Sequence, residues 1–241
     1  MLDSGRFYRH RVKAEGLVSF EVTVEETDLH ISASKHLKDE AEKAVSRYRQ
    51  DIKGFIKRNP AFDTTFEPYS VLSSAPSIVR GMAEAARQAG VGPMAAVAGA
   101  IAEYVGKDLL KSSAEVIVEN GGDIFIKTLE PRKMGICAGR SALSEKVALT
   151  IYPDQTPLGV CTSSGTVGHS VSFGRADAVV ILSKDTSLAD AVATSVGNRV
   201  KTAQDIEDAL AFAQTIPGVD GAVVIVGDKI GMWGEVEITE W

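Results

Sequence analysis

The stretch from Glu115 to Lys184 constrains the fold more than any other. It is a succession of short apolar runs, EVIVENGGDIFIK, KMGICAG, KVALTIY, LGVCTS and ADAVVILSK, each bounded by Gly, Pro or charged residues. Runs of this length, rich in Val and Ile, are strands, because β-branched side chains pack well on a pleated surface and an amphipathic helix needs a longer periodic run. ADAVVILSK is almost continuously apolar, which places Ala178 to Leu182 at the centre of a sheet covered on both faces. A strand of that kind needs neighbours on both sides and cover above and below, and the rest of the chain must supply them.

The segments on either side do so. SFEVTVEE alternates apolar and polar residues, so Arg6 to Lys13 and Leu17 to Glu25, joined by Ala14-Glu15-Gly16, are expected to form a β-hairpin that Leu29 to Ala33 extends. From Ser34 or Lys35, the residues Leu37, Ala41, Ala44, Val45, Tyr48, Ile52, Phe55 and Ile56 recur at helical spacing as far as Asn59-Pro60. Residues 61–75 read as a loop. A second helix is expected from Pro76 to Ala89, with Gly90 as its stop. A third, MAAVAGAIAEYVGKDLLKS, has small residues from Ala95 to Ala100, which suit either a buried helix or the close approach of a backbone or ligand. After the central strand come helices over Leu188–Arg199 and Ala203–Gln214. A hairpin, Ala222–Val226 with Ile230–Trp233, and a last strand, Val236–Thr239, end the chain. VIVENGGDIFIK and VVIVGDKIGMW echo one another too briefly to be a repeat. No linker divides residues 1–241, which read as one domain.

Bulk properties narrow the partners. The formal charge of −6, with no basic stripe, argues against nucleic acid. No run reaches the ~20 apolar residues that span a bilayer. The amino terminus, MLDSGRFYRHRVKAEG, carries charge but no apolar signal region, so a cytoplasmic location is expected. Cys137 and Cys161 form no CxxC pair, which fits a reducing compartment and two small core hydrophobes. His10, His30 and His36 are too dispersed for a metal cluster and read as surface residues.

Three polar groupings could carry chemistry. Asp190 and Thr194 lie four apart on an expected helix, so a carboxylate and a hydroxyl share one face, as magnesium would require of its few protein ligands. Ser187-Leu188-Ala189-Asp190 is equally a capping box, in which Asp190 would reach back to the Ser187 amide. Asn120-Gly121-Gly122-Asp123 suits either a tight hairpin turn or backbone amides offered to a phosphate or a purine edge. Thr162, Ser163, Ser164, Gly165 and Thr166 lead to His169, whose near-neutral pKa range suits a general base or a phosphate or flavin partner. This loop has neither a nucleophile elbow nor a Walker lysine, and a polar surface loop is its other reading. Together residues 160–200, which hold both this loop and the Asp190–Thr194 pair, and residues 120–123 would make a site for a phosphate-bearing ligand and a divalent cation.

The order of these pieces, GPMAAVAGAIAEYVGKDLL, then ENGGD, TSSGTVGH and ADAVATS, resembles the ApbE family of FAD:protein FMN transferases, and most of all its shorter UPF0280 branch. The match runs from about Gly92 to Val200. The resemblance implies an α+β fold, an α/β sandwich related to T-fold proteins in which mixed or antiparallel sheets pack with helices. It implies FAD as substrate or ligand, Mg2+ held by Asp190 and Thr194 with a main-chain carbonyl near Ala98 or Gly99, and a flavin-nucleotide pocket lined by Asn120 to Asp123 and Thr162 to Gly165. The implied chemistry is FMN transfer or FAD pyrophosphate hydrolysis with loss of AMP. By the same analogy a homodimer is expected. Two departures stand out. Glu103-Tyr104 replaces the family's Lys-Gly, and the HHIIDPxTG segment is missing from SGTVGHSVSFGRAD, so a flavin or small-anion binding protein without turnover is the alternative.

Overall fold

In the computed structural model, residues 12–165 and 174–241 are described, and among them eleven strands and six α-helices stack in three layers. The hairpin β1 (Val18–Val24) and β2 (Thr27–Ala33) is followed by helices α1 (Lys38–Arg58), α2 (Ala61–Thr64), α3 (Ser77–Ala89) and α4 (Val97–Leu109). Strands β3 (Val116–Asn120), β4 (Asp123–Lys127), β5 (Arg132–Gly135), β6 (Val147–Ile151), β7 (Leu158–Ser163) and β8 (Ala178–Ser183) come next. Helices α5 (Thr186–Arg199) and α6 (Ile206–Gln214) precede β9 (Val219–Val226), β10 (Lys229–Gly234) and β11 (Ile238–Glu240).

The middle layer is an eight-stranded sheet in the order β1-β2-β3-β4-β7-β8-β9-β10, antiparallel at every pairing. Helices cover one face and a three-stranded sheet, β11-β6-β5, covers the other. The apolar run at Ala178 becomes β8, buried along its whole length. Its side chains alternate as a strand requires: Val179 and Ile181 join the helix-side core, while Ala178, Val180 and Leu182 join the core against the small sheet.

The start of the chain departs from expectation. Leu17–Glu25 pairs with Leu29–Ala33 through a turn at Glu25-Glu26, where Glu25 has φ 53°. The expected partner Arg6–Lys13 lies largely outside the described residues, but Val12 bridges Met134 and the Lys13 amide donates to Lys133 O at 3.1 Å. The Ala14-Glu15-Gly16 bend therefore carries the chain between two sheets, with Gly16 at φ 81° making the change of direction. Helix α1 starts at Lys38 rather than Ser34, and the Ser34 amide donates instead to Ser113 Oγ at 2.9 Å. Residues 61–64 of the expected loop form the short α2, which buries Phe62. Pro76 and the left-handed Gly90, φ 68°, bracket α3 as local signals predict.

Helices α4 and α5 cross closely because α4 is built from small residues, here serving a neighbouring backbone. A Cβ on Gly99 would stand 2.5 Å from Thr186 O, and one on Gly106 2.2 Å from the Phe125 ring. The first turn of α5 exposes amides that its own cap, Asp185, meets only at Leu188 N, 2.9 Å away. Buried Glu103 of α4 supplies the rest, its Oε2 accepting from Thr186 N at 3.1 Å, Ser187 N at 3.2 Å and Ser187 Oγ at 3.1 Å. Its Oε1 accepts from Lys107 Nζ at 2.5 Å. Glu103→Ala would strand two buried amides, and urea denaturation is expected to show a loss of about 2–4 kcal/mol, with Glu103→Gln losing less.

Candidate functional site

The sheet register builds the floor of the candidate site. Asn120 lies opposite Asp123 across β3 and β4, and Asp123 lies opposite Cys161 across β4 and β7. Directly paired residues project to one face, so the three stand in a row, and Cys161 belongs to the helix-side core. Gly121 and Gly122, with φ 67° and 108°, form the two-residue turn between Asn120 and Asp123. The Gly122 amide is already used, donating to Glu119 Oε1 at 3.0 Å, whereas a Cβ on Gly121 would meet nothing within 4 Å. NGGD is thus a true hairpin turn with open space over its first glycine.

The first turn of α4 and the middle of α5 pack above this row. Asn120 Nδ2 donates to Ala98 O at 3.0 Å, and the Gly99 amide donates to Asp190 Oδ2 at 2.8 Å. The Ala98 amide also acts on Asp190. The capping-box reading of Asp190 on its own helix does not hold, because α5 begins at Thr186 and Asp185 is its cap. Asp190 is instead a cap for α4, whose N-cap residue, Ala96, has no side chain for the task. Cys161 Sγ lies 3.4 Å from Thr186 O and against the Asp123 carboxylate.

Two carboxylates therefore sit together under little solvent. Burial pushes Asp123 up to about 7 and the Glu119 charge adds to this, while the Cys161 thiol and the Thr162 amide pull it back. Burial, and then the Asp123 charge, hold Asp190 well above the ordinary carboxylate range against the pull of the Gly99 and Ala98 amides. Burial also raises the Cys161 thiol, reinforced by both aspartates. The groups that act most on the two acids include no lysine or arginine. Asp123 Oδ1 is buried and has no hydrogen-bond partner among the described residues.

The other expected site residues are placed unevenly. Thr194, one turn beyond Asp190, is partly buried. Ser163 shares the face of Cys161, with Gly197 beside its Oγ, but Thr162 pairs with Val180 and points toward the small sheet. Ser164 is partly buried, and Gly165 is exposed, its amide donating to Ala176 O at 2.9 Å. Thr166 and His169 lie outside the described residues. His30 is partly buried rather than at the surface, and Cys137 is partly exposed rather than in the core. Residues that sequence reasoning missed are Cys161 as a member of the row, Asp185 as the cap and Glu103 as its helper. Asp185, three residues before Leu188 at a helix start, was a readable signal.

Solved ApbE proteins share this fold. The flavinyl transferase ApbE of Pseudomonas stutzeri, in its apo form, matches with a TM-score of 0.59 and 14% identity, over 90% of this chain and 94% of that one. The ApbE protein of Thermotoga maritima matches with a TM-score of 0.57 and 14% identity, over 91% and 97%. The family model described as AbpE bacteria covers residues 9–238, and the chain belongs to that family. Its relatives include UPF0280 proteins of Methanosphaerula palustris, 47% identical over 81% of each chain, and of Methanococcus aeolicus, 40% identical over 91% of each. The UPF0280 protein of Methanocella arvoryzae is 46% identical over 80% of this chain and 78% of its own. The expected α+β fold and family are those found. Among the described residues, no single helix is long and apolar enough to cross a membrane.

The raised Asp123 has a consequence for stability. Between its ordinary value of 3.8 and about 7, the folded chain holds a proton that the unfolded chain has released, so stability falls as pH rises through that window. Asp123→Asn is expected to flatten this slope and to melt above the unsubstituted protein at pH 8, measured by thermal denaturation with a chelator present.

Proposed function

We propose that the chain is a magnesium-dependent flavin-nucleotide enzyme that splits the pyrophosphate of FAD. The observation that carries this reading is the buried Oδ1 of Asp123, without a hydrogen-bond partner among the described residues, beside the Asp190 carboxylate, a pair of hard acceptors for which no lysine or arginine is among the groups that act most on them. Asp190, Thr194 and the Ala98 carbonyl would hold Mg2+, with Asp123 next to them. This donor set fits because magnesium takes one or two carboxylates and completes its shell with water and phosphate. When bound, the ion supplies charge stabilisation to the pyrophosphate oxygens.

The chain's own residues orient the substrate. Asn120 is fixed by Ala98, and the open space over Gly121 lets a phosphate approach the backbone. Ser163, Ser164 and Gly165 line the neighbouring strand end, with Thr162 contributing main chain. A hydroxyl oxygen, from a protein acceptor or from water, attacks the phosphorus on the FMN side. The bond to the bridging oxygen breaks, and AMP leaves with that oxygen. We assign His169 as the base that accepts the attacking hydroxyl's proton. The relatives of known fold are named flavin transferases, which supports the substrate class. On the same resemblance we propose that the protein is a homodimer.

One observation favours a second reading, a flavin or small-anion binder without turnover. Glu103, standing where the family has lysine, is committed to the α5 amides and to Lys107, so that position offers no cation to a phosphate. Incubation with FAD and MgCl2 separates the two. Release of AMP and FMN is expected, and Asp190→Ala, checked for folding by circular dichroism, is expected to lower the rate about a hundredfold or more. Unchanged release in that variant would remove Asp190 from the reaction. Stoichiometric flavin binding with no AMP would select the second reading.

A further inference from the structure

The eight-stranded sheet ends in two unlike edges, β1 and β10, and among the described residues no strand pairs with the outer side of either. An edge strand offers a row of amides and carbonyls to any extended chain, and proteins blunt such edges with charge. β1 is blunted in this way. Its exposed residues after Val18 include Ser19, Glu21 and Thr23, and two such strands paired about their middle would set Glu21 against Glu21. β10, KIGMWG, has one charged residue, Lys229, at its start and none from there to Gly234. Ile230 and Met232 lie opposite Ile225 and Val223, so they project toward the small-sheet side, yet they are 39% and 55% exposed. The chain stays beside β9 for one residue more, the Glu235 amide donating to Asp220 O at 2.9 Å. This end of the sheet therefore presents a backbone edge together with two apolar side chains next to it.

We infer that β10 is the seam of a homodimer, pairing antiparallel with β10 of a second copy about a twofold axis at Met232 and continuing the sheet from one protomer into the other. A twofold axis sets each residue against the one equally far beyond it. Met232 then meets Met232 and Ile230 meets Gly234, so the exposed methionines cover one another. The partly buried Trp233 comes against Gly231, which has no side chain to compete for the space. Lys229 comes level with Glu235, both exposed, so each end of the seam joins opposite charges. An unrelated extended peptide would satisfy the backbone but would bring an acid and a glycine to those positions only by chance, which favours a second copy of this chain as the occupant. The inference gives a surface to the homodimer proposed above and needs nothing from the flavin reading.

The test is analytical ultracentrifugation of the unsubstituted chain and of variants shown by melting curves to be folded. The unsubstituted chain is expected to sediment as a dimer. Met232→Lys sets two like charges at the axis and Lys229→Glu repels Glu235, and each is expected to raise the dimer Kd about tenfold or more. Lys229→Glu combined with Glu235→Lys restores the opposite charges and is expected to bring Kd back to within about threefold. Met232→Cys, made together with Cys137→Ser because Cys137 is partly exposed, is expected to give a covalent dimer with copper phenanthroline that a reductant splits. Cα atoms directly opposed across antiparallel strands lie about 4.5–5.5 Å apart, within disulfide reach. Unaltered affinity in folded Met232→Lys puts the interface elsewhere, and the seam falls while the homodimer stands. A double charge variant as weak as Lys229→Glu, with no covalent dimer from Met232→Cys, overturns the pairing about Met232. A chain that sediments as a monomer at every concentration removes the homodimer and the seam together, while cleavage of FAD, measured separately, is untouched by that result.

Discussion

Helices α4 and α5 each begin with amides that need an acceptor, and each takes a carboxylate from the other. Asp190 of α5 accepts from the Gly99 amide, and Glu103 of α4 accepts from the Thr186 and Ser187 amides. A helix start is also the positive end of the peptide dipoles, so a carboxylate there is favoured electrostatically as well as by its hydrogen bonds. The exchange requires the two backbones to lie almost in contact, which the bare Cα of Gly99 against Thr186 allows. Everything proposed for the site depends on this crossing, because it holds Asp190 over the row of Asn120, Asp123 and Cys161.

The same crossing creates an electrostatic difficulty. Burial raises the proton affinity of both Asp190 and Asp123, the Asp123 charge adds to it at Asp190, and the Glu119 charge adds to it at Asp123. Such a pair weakens the folded state unless a proton or a cation lies near it. Local destabilisation of this sort is common where a protein prepares a place for a ligand, since the surrounding packing holds the groups in position. Here the packing is ample: Ala189, Ala191 and Val192 around Asp190 are buried, as are Ile124 and Phe125 next to Asp123.

How much of this could be read from residues alone follows from the range of each interaction. β8 was legible because both cores press on one short run, and α3 because Pro76 and Gly90 act within a few residues of themselves. The Asn120–Asp123 pairing was implicit in a two-glycine hairpin. Cys161 completes the row only because β7 returns beside β4 after β5 and β6 have left for the other sheet, a choice that no local signal records. Asp190 shows the same limit from the opposite side. Ser187-x-x-Asp190 has the spacing of a local cap, but the helix starts two residues earlier and the carboxylate serves an amide 91 positions away. The first bend was recognised as a turn, yet which strands it joins was decided by the distant pairing of Val12 with Met134.

The floor of the site and its walls answer to different constraints. The floor is a cross-strand row, and a one-residue slip of β4 would send Asp123 to the opposite face of the sheet together with the core residues that share its register. The walls are the first turn of α4 and the middle of α5, held by the carboxylates that the two helices exchange. A slip of the strands would displace Asp123 while Asp190 stayed with the helices, so the two acids meet only where both layers keep their own alignment.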